Sequence, residues 1–170
     1  MLTIRRVDHG DRDAVLALAA RAWEPVFDSV NGVLGPDLAR RLHGDDWRVR
    51  HSGEVADILD SETTMTWVAE IDGQIVGFAS ARIVDHDRRI GEINILGVDP
   101  RAQRSGVGAE LIRRAESWLR EENAGVAYVD TGGDPGHAPA RRLYEQQGYQ
   151  PFPIVQYYKV LGSKDDDRPG

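Results

Sequence analysis

The sequence predicts an α/β fold built on a mixed β-sheet, and three observations lead there. Stretches rich in β-branched and aromatic residues follow one another at 64–71, 74–84 and 90–98 without an intervening helix, which implies antiparallel pairing. A strand–helix–strand run then follows over 90–130, and its crossover implies a parallel pair in the same sheet. Hydrophobic content of 41% and charged content of 29% lie in the globular range, and 170 residues suffice for one domain that buries roughly two thirds of its unfolded surface.

Each element has its own signal. Leu2–Val7 reads as a first strand, and Val15, Leu18, Ala19 and Ala22 fall at helical spacing within Asp11–Trp23. Pro25–Pro36 reads as irregular, with Gly32 and Gly35 as breakers. Pro36 suits the first position of a short helix, and a further helix is expected over Val49–Leu59. Asp72-Gly73 between two strands supplies the positive φ angles of a tight hairpin turn. Gly106–Glu122 is a strong amphipathic helix stopped at Asn123–Gly125, and Val126–Asp130 is a short buried strand. Ala138–Gln147 is a helix ended by Gly148, and Ile154–Leu161 is read as the last strand. Residues 1–162 are expected to form the domain, with the charged 163–170 a disordered tail.

The bulk numbers exclude some functions. A formal charge of −7 argues against a nucleic-acid binder and suits a cationic small substrate, although solubility alone accounts for such a charge. The absence of cysteine removes disulfides, thiolate catalysis and thiolate-held zinc. The five histidines show no paired metal spacing, so no metal site is expected. No apolar run reaches the ~18 residues of a membrane span, the first residues lack a secretion signal, and cytoplasmic residence is the expectation.

One stretch demands an explanation: VDPRAQRSGVG, Val98 to Gly108, where a strand runs through a basic turn into a helix that opens on two glycines. A helix N-terminus carries unsatisfied N–H groups and about half a positive charge, so it attracts anions. A glycine there leaves the backbone approachable. Gln103 to Gly108 therefore reads either as a pyrophosphate cradle, with Arg101 and Arg104 adding charge, or as a tight turn allowing close packing. Gly108 is followed by Ala109-Glu110, which excludes a P-loop, and Leu111 stands where a dinucleotide fingerprint needs a third glycine.

The surrounding residues resemble the GNAT superfamily of N-acetyltransferases. Gln103-X-X-Gly106-X-Gly108 is similar to its Gln/Arg-X-X-Gly-X-Gly/Ala motif, preceded by the hydrophobic strand Ile93–Val98 and followed by Leu111–Ala115. Ala140-Arg-Arg-Leu143-Tyr144-Glu145-Gln-Gln-Gly148-Tyr149 resembles the family's Ala-X-X-Leu-Tyr-Glu-Lys-X-Gly-Phe helix end, and Gly77-Phe78-Ala79 its Val-Gly-Phe strand. The blocks cover residues 61–161 in the family's order. The departure is His137, where the family often has an asparagine on the cofactor side; the loop Thr131–Ala140 is also unusually rich in glycine and proline.

The resemblance implies a GNAT fold, a mixed sheet splayed at a cleft for acetyl-CoA and flanked by helices. It implies pyrophosphate contacts at the N–H groups of Arg104, Ser105, Gly106, Val107, Gly108 and Ala109 beside Gln103. Pantetheine contacts would fall along Leu96, Gly97 and Val98, with His137 taking the asparagine's place. Gly97 is the position expected for the bulge that lets the sheet splay. Alternation places Glu92, Asn94, Leu96 and Val98 on one strand face and Ile93 and Ile95 on the other. Glu92 is then the expected base, acting through water, with Glu70 a weaker alternative and a merely paired glutamate the bland one. Tyr144 matches the family's tyrosine acid, and the Val98 N–H would polarise the carbonyl of a tetrahedral intermediate formed by direct attack.

An alkylamine of pKa ~10.4 is about 0.04% neutral at pH 7, so freeing it costs roughly 4.6 kcal/mol, against about 1 kcal/mol for an α-amino group. A base therefore matters most for the first. The acceptor is expected to be an amine on a small molecule, peptide or protein, and Trp23, Phe27 and Trp47 flank the helices that choose acceptors in this family. The alternatives are a non-catalytic acyl-CoA sensor on the same fold, or an interaction domain whose glycine turn is packing only. A homodimer is a further possibility implied by the family, with Tyr157–Leu161 as its contact.

Overall fold

The computed structural model describes residues 1–161. Its five strands, β1 (Leu2–Arg6), β2 (Thr64–Ile71), β3 (Gln74–Asp85), β4 (Ile90–Val98) and β5 (Val126–Tyr128), lie side by side in chain order. The first four pair antiparallel, and β4 and β5 pair parallel after the crossover through a helix. Asp72 (φ 50°) and Gly73 (φ 77°) form the expected hairpin turn.

Helices cover both faces. On one side Leu111, Ile112, Ala115 and Leu119 of α4 (Val107–Glu121) pack on Trp67, Ala69, Ala79, Ala81 and Ile93, joined by Tyr144 of α5 (Ala138–Gln146). On the other, Val15, Leu18 and Ala19 of α1 (Arg12–Leu34) and Val55 of α3 (Trp47–Asp60) pack on Val68 and Phe78. A short α2 (Pro36–His43) links α1 to α3. Among the described residues no helix is long and apolar enough to cross a membrane.

Two expectations from sequence are overturned. Residues 25–34 are not irregular: α1 runs through Pro25 to Leu34 and stops at Gly35 (φ 80°). Proline removes one helical hydrogen bond, but Phe27 stacks on Trp47 at 4.1 Å and Trp23 lies 4.7 Å from His51, so packing against α3 holds the helix together. Secondly, Ile154–Leu161 is not a strand here. Residues 150–161 have no regular structure and are exposed, with Pro151 and Pro153 fixing an extended spacer where they leave α5. The expected tail beyond 162 lies outside the described residues.

Candidate functional site

The site is organised by the way β4 loses a neighbour. β5 pairs with it only at Ile90, Gly91 and Glu92, opposite Val126, Ala127 and Tyr128. From Ile93 onward the β5 side of β4 is open. Ser80 of β3 faces Ile95 while the next residue, Ala81, faces Ile93, so Asn94 is an extra residue on β4. Such a bulge bends its strand and resets the alternation. The bulge is therefore at Asn94 and not at Gly97, which stays in register with Phe78. Gly97 is small for another reason: a Cβ there would stand 2.7 Å from the rings of both Phe78 and Trp23.

Because of the bulge the expected alternation also fails. Glu92 lies on the α1–α3 side, across from Arg82, whereas Leu96 and Val98 face the α4 side with Ile93, and Ile95 packs with the opposite cluster. The buried side-chain oxygen of Asn94 has no hydrogen-bond partner among the described residues. Asp99 donates its N–H to the Val76 carbonyl at 2.9 Å. In an antiparallel ladder this fixes the phase, so the N–H and C=O groups of Leu96 and Val98 point away from β3 into the open side.

The chain then turns into α4. Asp99 accepts from the Arg101 N–H at 3.0 Å and is held by Arg21 at 2.8 Å. Gln103 Nε2 donates to the Val98 carbonyl at 3.4 Å, and Ser105 Oγ to the Ala102 carbonyl at 2.6 Å, so both brace the turn from within. Arg104 (φ 61°) and Gly106 (φ 88°) are left-handed, and no side chain caps the helix. The first N–H groups of α4, at Val107, Gly108 and Ala109, thus face outward without intrahelical acceptors. The two glycines have different causes. A Cβ at Gly106 would meet nothing within 4 Å, so its requirement is the positive φ and the space above it. A Cβ at Gly108 would lie 2.7 Å from Leu143, so that glycine lets α5 approach α4.

α5 brings Tyr144 into the core cluster that includes Val98, its ring 6.0 Å from that of Tyr149. Burial pushes the Tyr144 phenol up to about 12. Glu92 is nearly buried and accepts from Arg82 Nε at 2.6 Å. Tyr128, opposite Glu92 where the strands part, has its phenol raised first by burial and then by the Glu92 and Asp130 carboxylates. His137 stands at the N-terminal boundary of α5 without a capping side-chain bond, and is bound through Nδ1 to Asp134. Asp134 accepts from Ser29 Oγ of α1 at 2.7 Å, and Ser29 Oγ accepts from the Gly136 N–H at 2.8 Å. Burial raises the Asp134 carboxyl, but Ser29, His137 and Gly136 outweigh it and hold it below its ordinary value. The loop after β5 is thereby stapled to α1.

The structure thus gathers Leu96, Gly97, Val98 and Gln103–Ala109 along one open strand edge and the turn that follows it, with Glu92 at the closed end and Tyr144 in the core cluster that also holds Val98. His137 is bound to Asp134 in a staple to α1. Sequence reading missed Asn94 as the bulge, Arg82 and Tyr128 beside Glu92, and Ser29 as an anchor. Glu92 and Tyr128 are adjacent only through the parallel register, which no local pattern announces. Among the described residues no three His, Asp or Glu side chains cluster as a metal site would require.

Comparison with known proteins now decides the family. The profile of the Acetyltransferase (GNAT) family matches residues 36–149, more than half of the chain. The chain belongs to this family. A mycothiol acetyltransferase of Beutenbergia cavernae is 34% identical over 150 residues, which are 88% of this chain and 45% of that protein. The chain thus spans about half the length of the curated relatives it matches. In fold, it resembles an aminoglycoside 6'-N-acetyltransferase of Acinetobacter haemolyticus, with TM-score 0.66 at 19% identity over 95% of this chain and 99% of that one. It also resembles the PaiA N-acetyltransferase of Thermoplasma acidophilum solved with coenzyme A, with TM-score 0.65 at 14% identity, covering 88% and 90%. At such identities these two establish the shared fold.

Proposed function

We propose that this GNAT domain transfers an acetyl group from acetyl-CoA to an amine by direct attack. The single observation that carries the proposal is the outward-facing backbone of β4 at Leu96 and Val98 running directly into the uncapped N-terminus of α4. An edge with the N–H groups of Leu96 and Val98 and the Leu96 C=O turned outward suits an amide-bearing arm, and free helical N–H groups beside Arg101 and Arg104 suit a pyrophosphate. The open space at Gly106, which a Cβ would enter, fits a bound group there. In this reading Gln103 and Ser105 shape the cradle formed by the N–H groups of Arg104 to Ala109. His137, tied to Asp134, sets the far wall from α5.

The chemistry follows from this chain's own residues. The N–H of Val98 stabilises the oxyanion that develops as the amine attacks the thioester. Tyr144, protonated with its phenol near 12, donates a hydrogen bond to the departing sulfur. Full transfer to a thiolate of pKa ~8.5 would be uphill by about 5 kcal/mol, so the tyrosine stabilises while solvent supplies the net proton. Glu92 orients a water that takes the amine's proton. Arg82 already occupies one of its oxygens. This arrangement favours acceptors whose amine is cheap to neutralise, an α-amino group over an alkylamine. Because its relatives and fold neighbours include proteins named as mycothiol and aminoglycoside acetyltransferases, small amino compounds are the first to try in the acceptor panel.

The test is thermal unfolding with and without acetyl-CoA at about 100 times a micromolar Kd, where binding adds ~2.7 kcal/mol and raises Tm by roughly 5–10 °C. Thiol release with an amine panel then separates an enzyme from a sensor. No shift overturns the cradle; a shift with no thiol release from any amine favours the sensor.

A further inference from the structure

Two features of the chain have no part in the chemistry above: the proline inside α1 and the glycine- and proline-rich loop at 131–140. The fold joins them. Arg21, Pro25 and Ser29 are spaced by four along α1, so they share one face of the helix. Arg21 binds Asp99, the first residue after β4, with Nε at 3.0 Å and Nη2 at 2.8 Å from the same carboxylate oxygen. Trp23 lies under Gly97, where a Cβ would stand 2.7 Å from its ring. The next turn of the helix meets the loop. A Cβ on Gly136 would stand 3.1 Å from the Pro25 carbonyl oxygen and 2.6 Å from Ser29 Cβ. Ser29 Oγ donates to Asp134 at 2.7 Å and accepts from the Gly136 N–H at 2.8 Å. α1 therefore runs from the β4 side of the open edge to the loop that follows β5.

The composition of the loop serves this second attachment. Gly136 lies too close to α1 for a side chain, and a Cβ at Gly132 would strike both His137 and Asp134. The Asp134 carboxylate gathers Ser29, the Gly136 N–H and His137, while its carbonyl accepts from Arg141 of α5 at 2.9 Å. The loop is thus fastened to α1 on one side and on the other to α5, whose Leu143 meets Gly108. From Arg21 to Ser29 is about 12 Å of helix. Seating one extended chain beside β4 takes two strand spacings, roughly 10 Å. Midway, Pro25 removes the N–H that would bond the Arg21 carbonyl, so the helix bends most easily between its two attachments.

We infer that α1 is a strap across the open edge of β4, pinned at Asp99 on one side and at Asp134 on the other, and that Arg21, Ser29 and Asp134 are positioning residues that fix the width of the cleft. With both pins closed, the turn before α4 and the start of α5 keep one separation. A bound molecule leaves when the loop swings away from α1. This role rests on the acetyl-CoA reading for what the cleft holds; the pins themselves do not.

Two variants separate the pin from the histidine beside it. Ser29→Ala opens the pin and keeps the Asp134–His137 contact. Asp134→Asn does the reverse: its oxygen still accepts from Ser29 and Gly136, but an amide N–H replaces the oxygen that faced His137. Hydrogen exchange without ligand is expected to be about tenfold faster at 131–137 in Ser29→Ala, within about threefold of the unaltered protein in Asp134→Asn, and unchanged in β2–β4 of both. Unaltered exchange in Ser29→Ala overturns the strap, and so does the opposite order of the two variants, which would make the His137 contact the fastening. Acetyl-CoA dissociation, by stopped-flow tryptophan fluorescence, is expected to speed about tenfold in Ser29→Ala, with association within about twofold. Adding Ser29→Ala to Arg21→Met is expected to speed it by less than about twofold further, because a strap released at one end is already open. Multiplied effects would make the pins two separate local braces and overturn the strap. If the unaltered protein binds no acetyl-CoA, the cofactor reading fails and the exchange rates alone decide the strap.

Discussion

The two halves of β4 belong to one strand and do different work. Ile90–Glu92 are bonded to β3 on one side and β5 on the other, while Ile95–Val98 are bonded to β3 alone. In the first half a glycine serves the core: a Cβ on Gly91 would stand 2.4 Å from a methyl of the buried Leu119. In the second half the N–H and C=O groups of Leu96 and Val98 face the open side, and the turn that follows adds more outward N–H groups. The bulge at Asn94 is the joint between them. A strand bonded on both sides is scaffold, and the same strand bonded on one side is a place for something else to bind.

The largest effects come from exchanging the two kinds of glycine. Gly106→Val places a β-branched residue at φ 88°, in the open space over the helix N-terminus. Strain there costs about 1–2 kcal/mol of stability. Acetyl-CoA affinity, measured by calorimetry, is expected to fall about 100-fold, or ~2.7 kcal/mol. Gly91→Val overfills a packed site and is expected to cost about 3 kcal/mol of stability, with the Kd of the folded fraction changed less than threefold. Equal affinity in Gly106→Val, or a large loss of affinity in a still-folded Gly91→Val, would erase the division between scaffold and edge.

The next effect is on turnover. Tyr144→Phe keeps the buried ring and removes the hydroxyl. Its kcat is expected to drop about 10- to 100-fold, ~1.4–2.7 kcal/mol, with KM for acetyl-CoA within twofold and Tm unchanged within about 2 °C. Intact turnover would remove the tyrosine from the sulfur's side of the cleft. Glu92→Gln is expected to lower kcat/KM more for an alkylamine than for an α-amino acceptor, because only the first needs substantial help in losing a proton. Equal losses on both would make Glu92 a structural partner of Arg82.

Much of this architecture was legible beforehand, and the reason differs by element. The Asp72-Gly73 hairpin, α4 and the glycine turn declare themselves through local chemistry, because turn residues and helical periodicity act within a few positions. The end of α1 did not, since Pro25 and Gly32 are breakers locally and only Trp47 and His51 on another helix outweigh them. The faces of β4 were misassigned for a similar reason: one extra residue at Asn94 reverses every side chain beyond it, and asparagine carries no bulge signature. The strand expected at 154–161 has the right composition but no neighbouring strand among the described residues, which composition cannot reveal.

The smallest effect concerns what stands behind the open half. Gly97 lies under Trp23, and Trp23 rests on His51, which Phe27 and Trp47 also approach at 5.9 and 6.3 Å. His51 is buried, its Nε2 has no partner among the described residues, and its Nδ1 lies 3.7 Å from Glu54. Burial lowers its pKa, and Glu54 only partly opposes this. His43, edge-on to Phe27 at 5.1 Å, is lowered too, by burial and then by Arg50. The unfolded chain therefore binds more protons than the folded one between the depressed folded values and about 6.5, and stability falls as pH drops through that window. Urea unfolding at pH 7.5 and 5.5 should show the decline in the unaltered protein and a flatter dependence in His51→Phe, which keeps a ring in the wall but cannot take a proton. An identical slope in the variant would mean that His51 gains its proton without leaving the aromatic wall, and that the backing of the open half is looser than that of the paired half.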